Sequence, residues 1–173
     1  MSEIVLYDMI YKLKLIVGKM NKFEVWTDGA CKGNPGPGGY AYMIRKISNP
    51  SEEDEEGFGS EKDTTNNRME LKAAIAALKH LDVFYPGEKE VILHSDSKYL
   101  INGITSWIKN WKTNGWKSGK NAVKNRDLWE KLDYRASRTN VTWTWVKGHS
   151  DNAENNKVDE LANIAISLME DEK

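Results

Sequence analysis

Phe23-Glu24-Val25-Trp26 alternates like a strand with one buried face and runs directly into Thr27-Asp28-Gly29. Behind it, Gly33-Asn34-Pro35-Gly36-Pro37-Gly38-Gly39 is rich in turn-forming residues, and Tyr40 to Ile47 returns to a strand pattern. The stretch predicts strand, tight loop, second strand. The acidic Ser51 to Glu56 segment fits a solvated hairpin tip ahead of a short third strand near Phe58, and its charge would repel nucleic acid if it lay close to one.

Thr64-Thr65-Asn66-Asn67 supplies capping side chains for a helix to about Leu81, in which Met69, Ala73, Ala76, Ala77 and His80 recur at three- and four-residue steps. Pro86-Gly87 resets the chain. Val91-Ile92-Leu93 is an apolar run of the kind a buried parallel strand shows, and it ends at His94-Ser95-Asp96-Ser97. Val141 to Val146 predicts another strand, and a last helix from about Asn155 to Met169 sets Val158, Leu161, Ala162, Ala165 and Met169 on one stripe. No internal repeat or low-complexity linker interrupts this order, so the elements predict one α/β domain.

Residues 1–22 show no clean period and fit neither a secretory signal nor a membrane span. They read as an appended N-terminal extension, a short helix or strand or a stretch upstream of a start at Met20, with residues 23–170 as the domain and 171–173 as an acidic tail. The chain's 173 residues suit a single core.

Composition changes this picture little: 39% hydrophobic and 29% charged residues describe an ordinary globular protein, and no apolar run is long enough for a bilayer. Cys31 is the only cysteine, which excludes an intramolecular disulfide and a cysteine-zinc cluster and is compatible with a reducing compartment. The expectation is a cytoplasmic monomer with no membrane partner and no organic cofactor. A net charge of −1 argues against nucleic-acid binding through bulk charge, yet the distribution is uneven. Lys109, Lys112, Lys117, Lys120, Lys124, Arg126 and Lys131 fall in a stretch with few acids, and such a local basic surface attracts phosphates.

Four acids carry the candidate chemistry. Singly, Asp28 is explained by a turn, Asp96 by a helix cap, and Glu70 and Asp159 by polar helix faces. If the strands ending at Asp28 and Asp96 are parallel neighbours, their carboxyl ends open on one side of the sheet, and helices packed there aim Glu70 and Asp159 at the same point. Four converging carboxylates repel one another unless divalent cations lie between them, and oxygen-only ligation favours Mg²⁺ or Mn²⁺ over zinc. Two such ions roughly 4 Å apart suit phosphodiester hydrolysis.

The chain resembles ribonuclease H type 1 in Thr27-Asp28-Gly29-Ala30-Cys31, Gly33 to Gly39, Thr64 to Leu71, Ser95-Asp96-Ser97, Trp145-Val146-Lys147-Gly148-His149 and Asp159-Glu160-Leu161-Ala162, in the family's order. The resemblance implies an RNase H-like fold: a five-stranded mixed sheet, three antiparallel strands then two parallel ones, flanked by helices. It implies a metal-dependent endonuclease that cuts the RNA strand of an RNA/DNA hybrid with two Mg²⁺ ions, Mn²⁺ being a substitute. Asp28, Glu70, Asp96 and Asp159 would be the metal-binding catalytic acids, with Asp28 touching both metals. Glu70 and Asp96 would help hold the leaving-group metal and Asp159 the nucleophile-side metal, and His149 would be the flexible-loop histidine that assists proton movement or product departure.

Cutting RNA but not DNA requires sensing the 2′-hydroxyl, to which side-chain amides are suited, and Asn34, Asn66 and Asn67 match family positions that do so. Trp107 to Lys117 interleaves aromatic rings with lysines and resembles the family's basic handle, spanning about 103–126. Trp107, Trp111, Lys112, Lys117 and Ser118 are its candidate substrate contacts. Trp107 and Trp111 are expected to pack partly inward, since their spacing also fits a core stripe. Thr65 and Asn125 match a phosphate pocket for the DNA strand, but Asp63 stands where some relatives carry a basic residue. Lys98 likewise replaces the amide that some relatives have after the Asp-Ser pair, and reads either as an added phosphate contact or, more simply, as a solvated helix lysine.

Two rivals belong to other classes. A module that binds hybrids without cutting them would do better without four negative charges near phosphates. An assembly subunit with an incidental site would draw on residues 1–22.

Overall fold

The computed structural model describes residues 20–171, so the expectation for most of the N-terminal extension, and for the last two residues of the acidic tail, lies outside the described residues. Three antiparallel strands open the domain: β1 (Asn21–Cys31), β2 (Gly36–Lys46) and β3 (Glu55–Thr64). Helix α1 (Asn66–Phe84) follows, then β4 (Lys89–Ser95), α2 (Lys98–Asn102), a π-helical turn over Gly103–Trp107 and α3 (Ile108–Thr113). A short hairpin of β5 (Lys117–Ser118) and β6 (Asn121–Ala122) leads to α4 (Arg126–Ala136), β7 (Asn140–Trp145) and α5 (Ala153–Asp171).

The five long strands form one sheet in the order β3-β2-β1-β4-β7, antiparallel as far as β1 and parallel from β1 to β7. This is the mixed sheet the resemblance implies, with helices on both faces.

Strand alternation assigns the two faces. Phe23, Val25, Ile44, Val91 and Leu93 turn toward α1 and α4, where Leu71, Leu78, Leu81, Leu128, Trp129 and Leu132 complete the larger core. Trp26, Ala41 and Met43 turn the other way and meet Val158 and Ala162 of α5. A fully buried side chain of this size contributes about 1.5–3 kcal/mol by leaving water, so the larger cluster dominates stability.

Four expectations need correction. The third strand is not short: β3 runs 10 residues from Glu55 to Thr64 and pairs with β2 along most of its length. The Val91-Ile92-Leu93 run is not buried on both faces: α5 packs on β1, β2 and β3 and leaves Ile92 exposed on β4. Strand β2 begins at Gly36 rather than Tyr40, because Gly38 and Gly39 lie flush against Met69 and Ile166, where a side chain would collide. In α5, Ile166 belongs to the buried stripe while Met169 and Leu161 are only half-buried.

The acidic tip is harmless to a ligand at the other end of the sheet. Lys46, at its base, pairs with Phe23, whereas Asp28 pairs with Ala41 five residues further along β1. Glu55 and Glu56 are already strand residues, and Glu55 is tied to His80 at 2.5 Å and to the Tyr85 hydroxyl.

Candidate active site

The parallel register of β1 and β4 sets Trp26 opposite His94, so Asp28 and Asp96, each two residues further on, come level at the carboxyl end of the sheet. Glu70 reaches them from the first turns of α1. That approach depends on Gly29, since a Cβ there would fall inside the backbone of Met69 and Glu70. One carboxylate oxygen from each of Asp28, Glu70 and Asp96 lies within 4.8 Å of the others. Asp159, half-buried on α5, lies outside that trio but near enough for its charge to raise the Asp28 carboxyl, and its own Oδ1 accepts from Asn163 Nδ2 at 3.2 Å.

The electrostatics are those of crowded acids. Burial first, then the charges of Asp96 and Asp159, push the Asp28 carboxyl up to about 8 from its ordinary 3.8. Burial, followed by the charges of Asp28 and Asp96, holds Glu70 well above the usual carboxylate range. The buried Glu70 Oε2 has no hydrogen-bond partner among the described residues, an uncommon and costly state for a polar atom that a cation would relieve. The donor set fits a hard divalent ion: all ligands are oxygens, and a metal–oxygen distance of about 2.0–2.1 Å puts opposite Mg²⁺ ligands about 4 Å apart.

Asp96 is held by partners that sequence patterns did not disclose. Asn155 donates from Nδ2 to Asp96 Oδ2 at 3.3 Å while its backbone nitrogen donates to the capping Asn152 Oδ1 at 2.8 Å. Asn155 is 1% exposed, unusual for an asparagine in a helix whose pattern reads as amphipathic. Gly148 lies against the Asp96 carboxylate with no room for a side chain, which fixes the start of the β7–α5 loop beside the acids. His149 follows on that loop, exposed, with a left-handed backbone at φ 49°.

The amide candidates sit at the same end. Asn34 Oδ1 accepts from the Asn66 backbone nitrogen at 3.1 Å, joining the β1–β2 turn to the start of α1, and Asn67 is exposed beside it. Thr65 caps α1 through its hydroxyl, which accepts from Arg68 N at 3.4 Å. Arg68 then bridges to the second half of the expected phosphate pocket: its Nη1 donates to Asn125 Oδ1 at 3.3 Å, and it holds Asp127 through both guanidinium nitrogens at 3.1 and 2.9 Å. The three-residue spacing of Thr65 and Arg68 on one helical turn was the available signal for this residue.

Across the handle, Tyr99, Trp107, Trp111, Lys117, Ser118 and Lys124 line part of a cavity of about 550 Å³. Trp111 packs inward against Trp129 as expected, while Trp107 remains 39% exposed. Lys112, on the same handle, pairs with Asp133 on α4 at 2.7 Å and stays half-exposed.

The RNase H family model matches residues 20–167, most of the chain. A ribonuclease H of Francisella tularensis subsp. novicida is 53% identical over 155 residues, covering 89% of this chain and 97% of its own. The chain belongs to the ribonuclease H family. Among solved structures, LC9-RNase H1, a type 1 RNase H with the type 2 active-site motif, is similar with a TM-score of 0.78 and 30% identity over 86% of this chain and 74% of that one. LC11-RNase H1, solved in complex with RNA/DNA hybrid, shares the fold at a TM-score of 0.64 and 22% identity, over 85% of this chain and 98% of its own. Membership in the ribonuclease H family carries an enzymatic activity, the endonucleolytic cleavage of RNA paired to DNA. Among the described residues no helix is long and apolar enough to cross a membrane.

Proposed function

We propose that this ribonuclease H hydrolyses the RNA strand with two divalent cations held by Asp28, Glu70, Asp96 and Asp159. The observation that carries the reading is the convergence of Asp28, Glu70 and Asp96, with Asp159 near enough to raise Asp28, the Asp28 and Glu70 carboxyls pushed up and Glu70 Oε2 left without a partner among the described residues. Bound Mg²⁺, or Mn²⁺ in its place, would supply a water activated at neutral pH and stabilisation of the departing oxygen. Asp28, at the centre of the cluster, would face both ions, with Glu70 and Asp96 toward the leaving group and Asp159 toward the nucleophile.

The remaining residues bind and orient. Asn34, Asn66 and Asn67 offer amide and backbone groups to 2′-hydroxyls. Thr65, Asn125 and Arg68 frame a phosphate pocket in which the Asp127 ion pair must yield a guanidinium donor. Trp107, Trp111, Lys117 and Ser118 give the DNA strand an aromatic and cationic surface, and Lys112, half-exposed beside Asp133, adds to it. His149, on the exposed loop anchored by Gly148, is placed in sequence to carry a proton or speed product departure. The protein works as a cytoplasmic monomer whose catalytic domain, of about residues 23–170, takes in Asn21 and Lys22 as the start of β1 and Asp171 as the end of α5, and its elution volume checks the monomer.

Incubation with Mg²⁺ and end-labelled duplexes tests the reading. Internal cuts in the RNA strand of a hybrid, none in duplex DNA and none with EDTA are expected; binding without cleavage would instead favour the non-cutting module. Asn155→Ala removes the amide that orients Asp96, and activity should fall roughly 10–100-fold, partly restored by raising Mg²⁺. An unchanged Mg²⁺ dependence would remove Asn155 from that role.

A further inference from the structure

Four carboxylates facing a polyanion require cations nearby, and Lys98 stands two residues from Asp96 as the first residue of α2. It is exposed and makes no ion pair with a carboxylate among the described residues. Its ammonium lies instead 5.1 Å from the centroid of the Trp145 ring. Trp145, the last residue of β7, is 44% exposed, so the indole is not there chiefly to bury apolar area. Its side-chain Nε1 donates to the Asp96 carbonyl oxygen at 2.9 Å, which ties the ring to the residue whose carboxylate enters the acid cluster.

We propose that Lys98 and Trp145 form a clamp on the strand that is cut, the ammonium taking an oxygen of a phosphate next to the scissile one while the indole face packs against the adjoining sugar. A cation over a solvent-exposed ring is weakly held and exchanges readily for a charge-assisted bond to phosphate. The bond to the Asp96 carbonyl sets the ring in register with the acids rather than with the handle, so the strand it meets is the one the acids meet. Lys98 thus supplies beside the acids a positive charge that an amide at this position would not.

The clamp rests on the hybrid-cutting reading, and its test separates the two. Hybrid affinity is measured against salt for Asp28→Asn and for the same chain carrying Lys98→Gln in addition, both expected to be inactive so that binding is read alone. Loss of one phosphate contact makes the slope of log affinity on log salt shallower by about 1. In the otherwise unaltered chain, Lys98→Gln raises KM several-fold at low salt and leaves kcat in place, while Lys79→Gln on the exposed face of α1 changes neither. A neutral methylphosphonate beside the cut site in the RNA strand should weaken binding by the protein that keeps Lys98 and have little effect on the affinity of the Lys98→Gln form. An unchanged slope, an equal change with Lys79→Gln, or coupling to the DNA strand instead would overturn the clamp while an unaltered chain still cuts hybrids. An unaltered chain that cuts none would sink the functional reading itself.

Discussion

Asp28→Asn abolishes cleavage, with kcat/KM falling on the order of 10⁴-fold or more, while affinity for the hybrid is kept. The substitution preserves shape and removes one charge from the centre of the cluster, so binding of a polyanion is not impaired. The same change stabilises the metal-free fold, and the sign follows from proton linkage. Asp28 titrates at about 8 in the folded chain and near its ordinary 3.8 unfolded, so between these values the folded state holds protons that the unfolded state has released. Stability from this group is therefore complete below pH ~4 and is lost as pH rises through about 8. In EDTA at pH ~8 the Asp28→Asn variant should melt about 4–12 °C above the unaltered chain, taking about 2–3 kcal/mol of relieved burial and repulsion at roughly 2–4 °C per kcal/mol. The gap should narrow toward pH ~4. Scanning calorimetry at both pH values checks this, and a lower melting point for the variant at the higher pH would mean that the acids do not strain the fold.

Gly29→Ala has the second large effect, and it acts through packing. The added methyl would occupy the space of the Met69–Glu70 backbone, which neither β1 in the middle of the sheet nor the first turns of α1 can vacate cheaply. Overpacking of backbone costs about 3 kcal/mol or more, a drop of about 6–12 °C in melting temperature for a chain of this size. The folded fraction should also lose activity about 10²-fold, because an ångström of movement in α1 carries Glu70 away from Asp28 and Asp96. Circular dichroism melts alongside hybrid cleavage measure both, and a stable, active Gly29→Ala protein would show that α1 does not need this approach.

The acids were legible because each stands at a recognisable place in a local pattern: Asp28 and Asp96 follow apolar strand residues, and Glu70 and Asp159 lie near the starts of helices. The parallel pairing that brings two of them level could be posed from sequence as a condition, and the register of Trp26 with His94 meets it. What periodicity encodes is which face of an element is apolar, not what presses against it. Gly38 and Gly39 therefore read as loop, although they are strand residues shaved down to admit α1 and α5. Ile92 reads as buried because an apolar run does not reveal that α5 stops short of β4. Asn155 and Lys112 were hidden for a related reason: a hydrogen bond to Asp96 across 59 residues and an ion pair to Asp133 across 21 leave no trace in either element's own pattern.

Calorimetric titration of the metal-free protein with Mn²⁺ at pH ~6 and pH ~8, below and at the Asp28 midpoint, tests most directly whether these carboxylates gather to hold divalent cations. The unaltered chain should bind Mn²⁺ more tightly at the higher pH, releasing protons as it binds at the lower one, and Asp28→Asn should lose most of the heat. Equal binding by the two proteins, or none by either at the higher pH, would contradict the account.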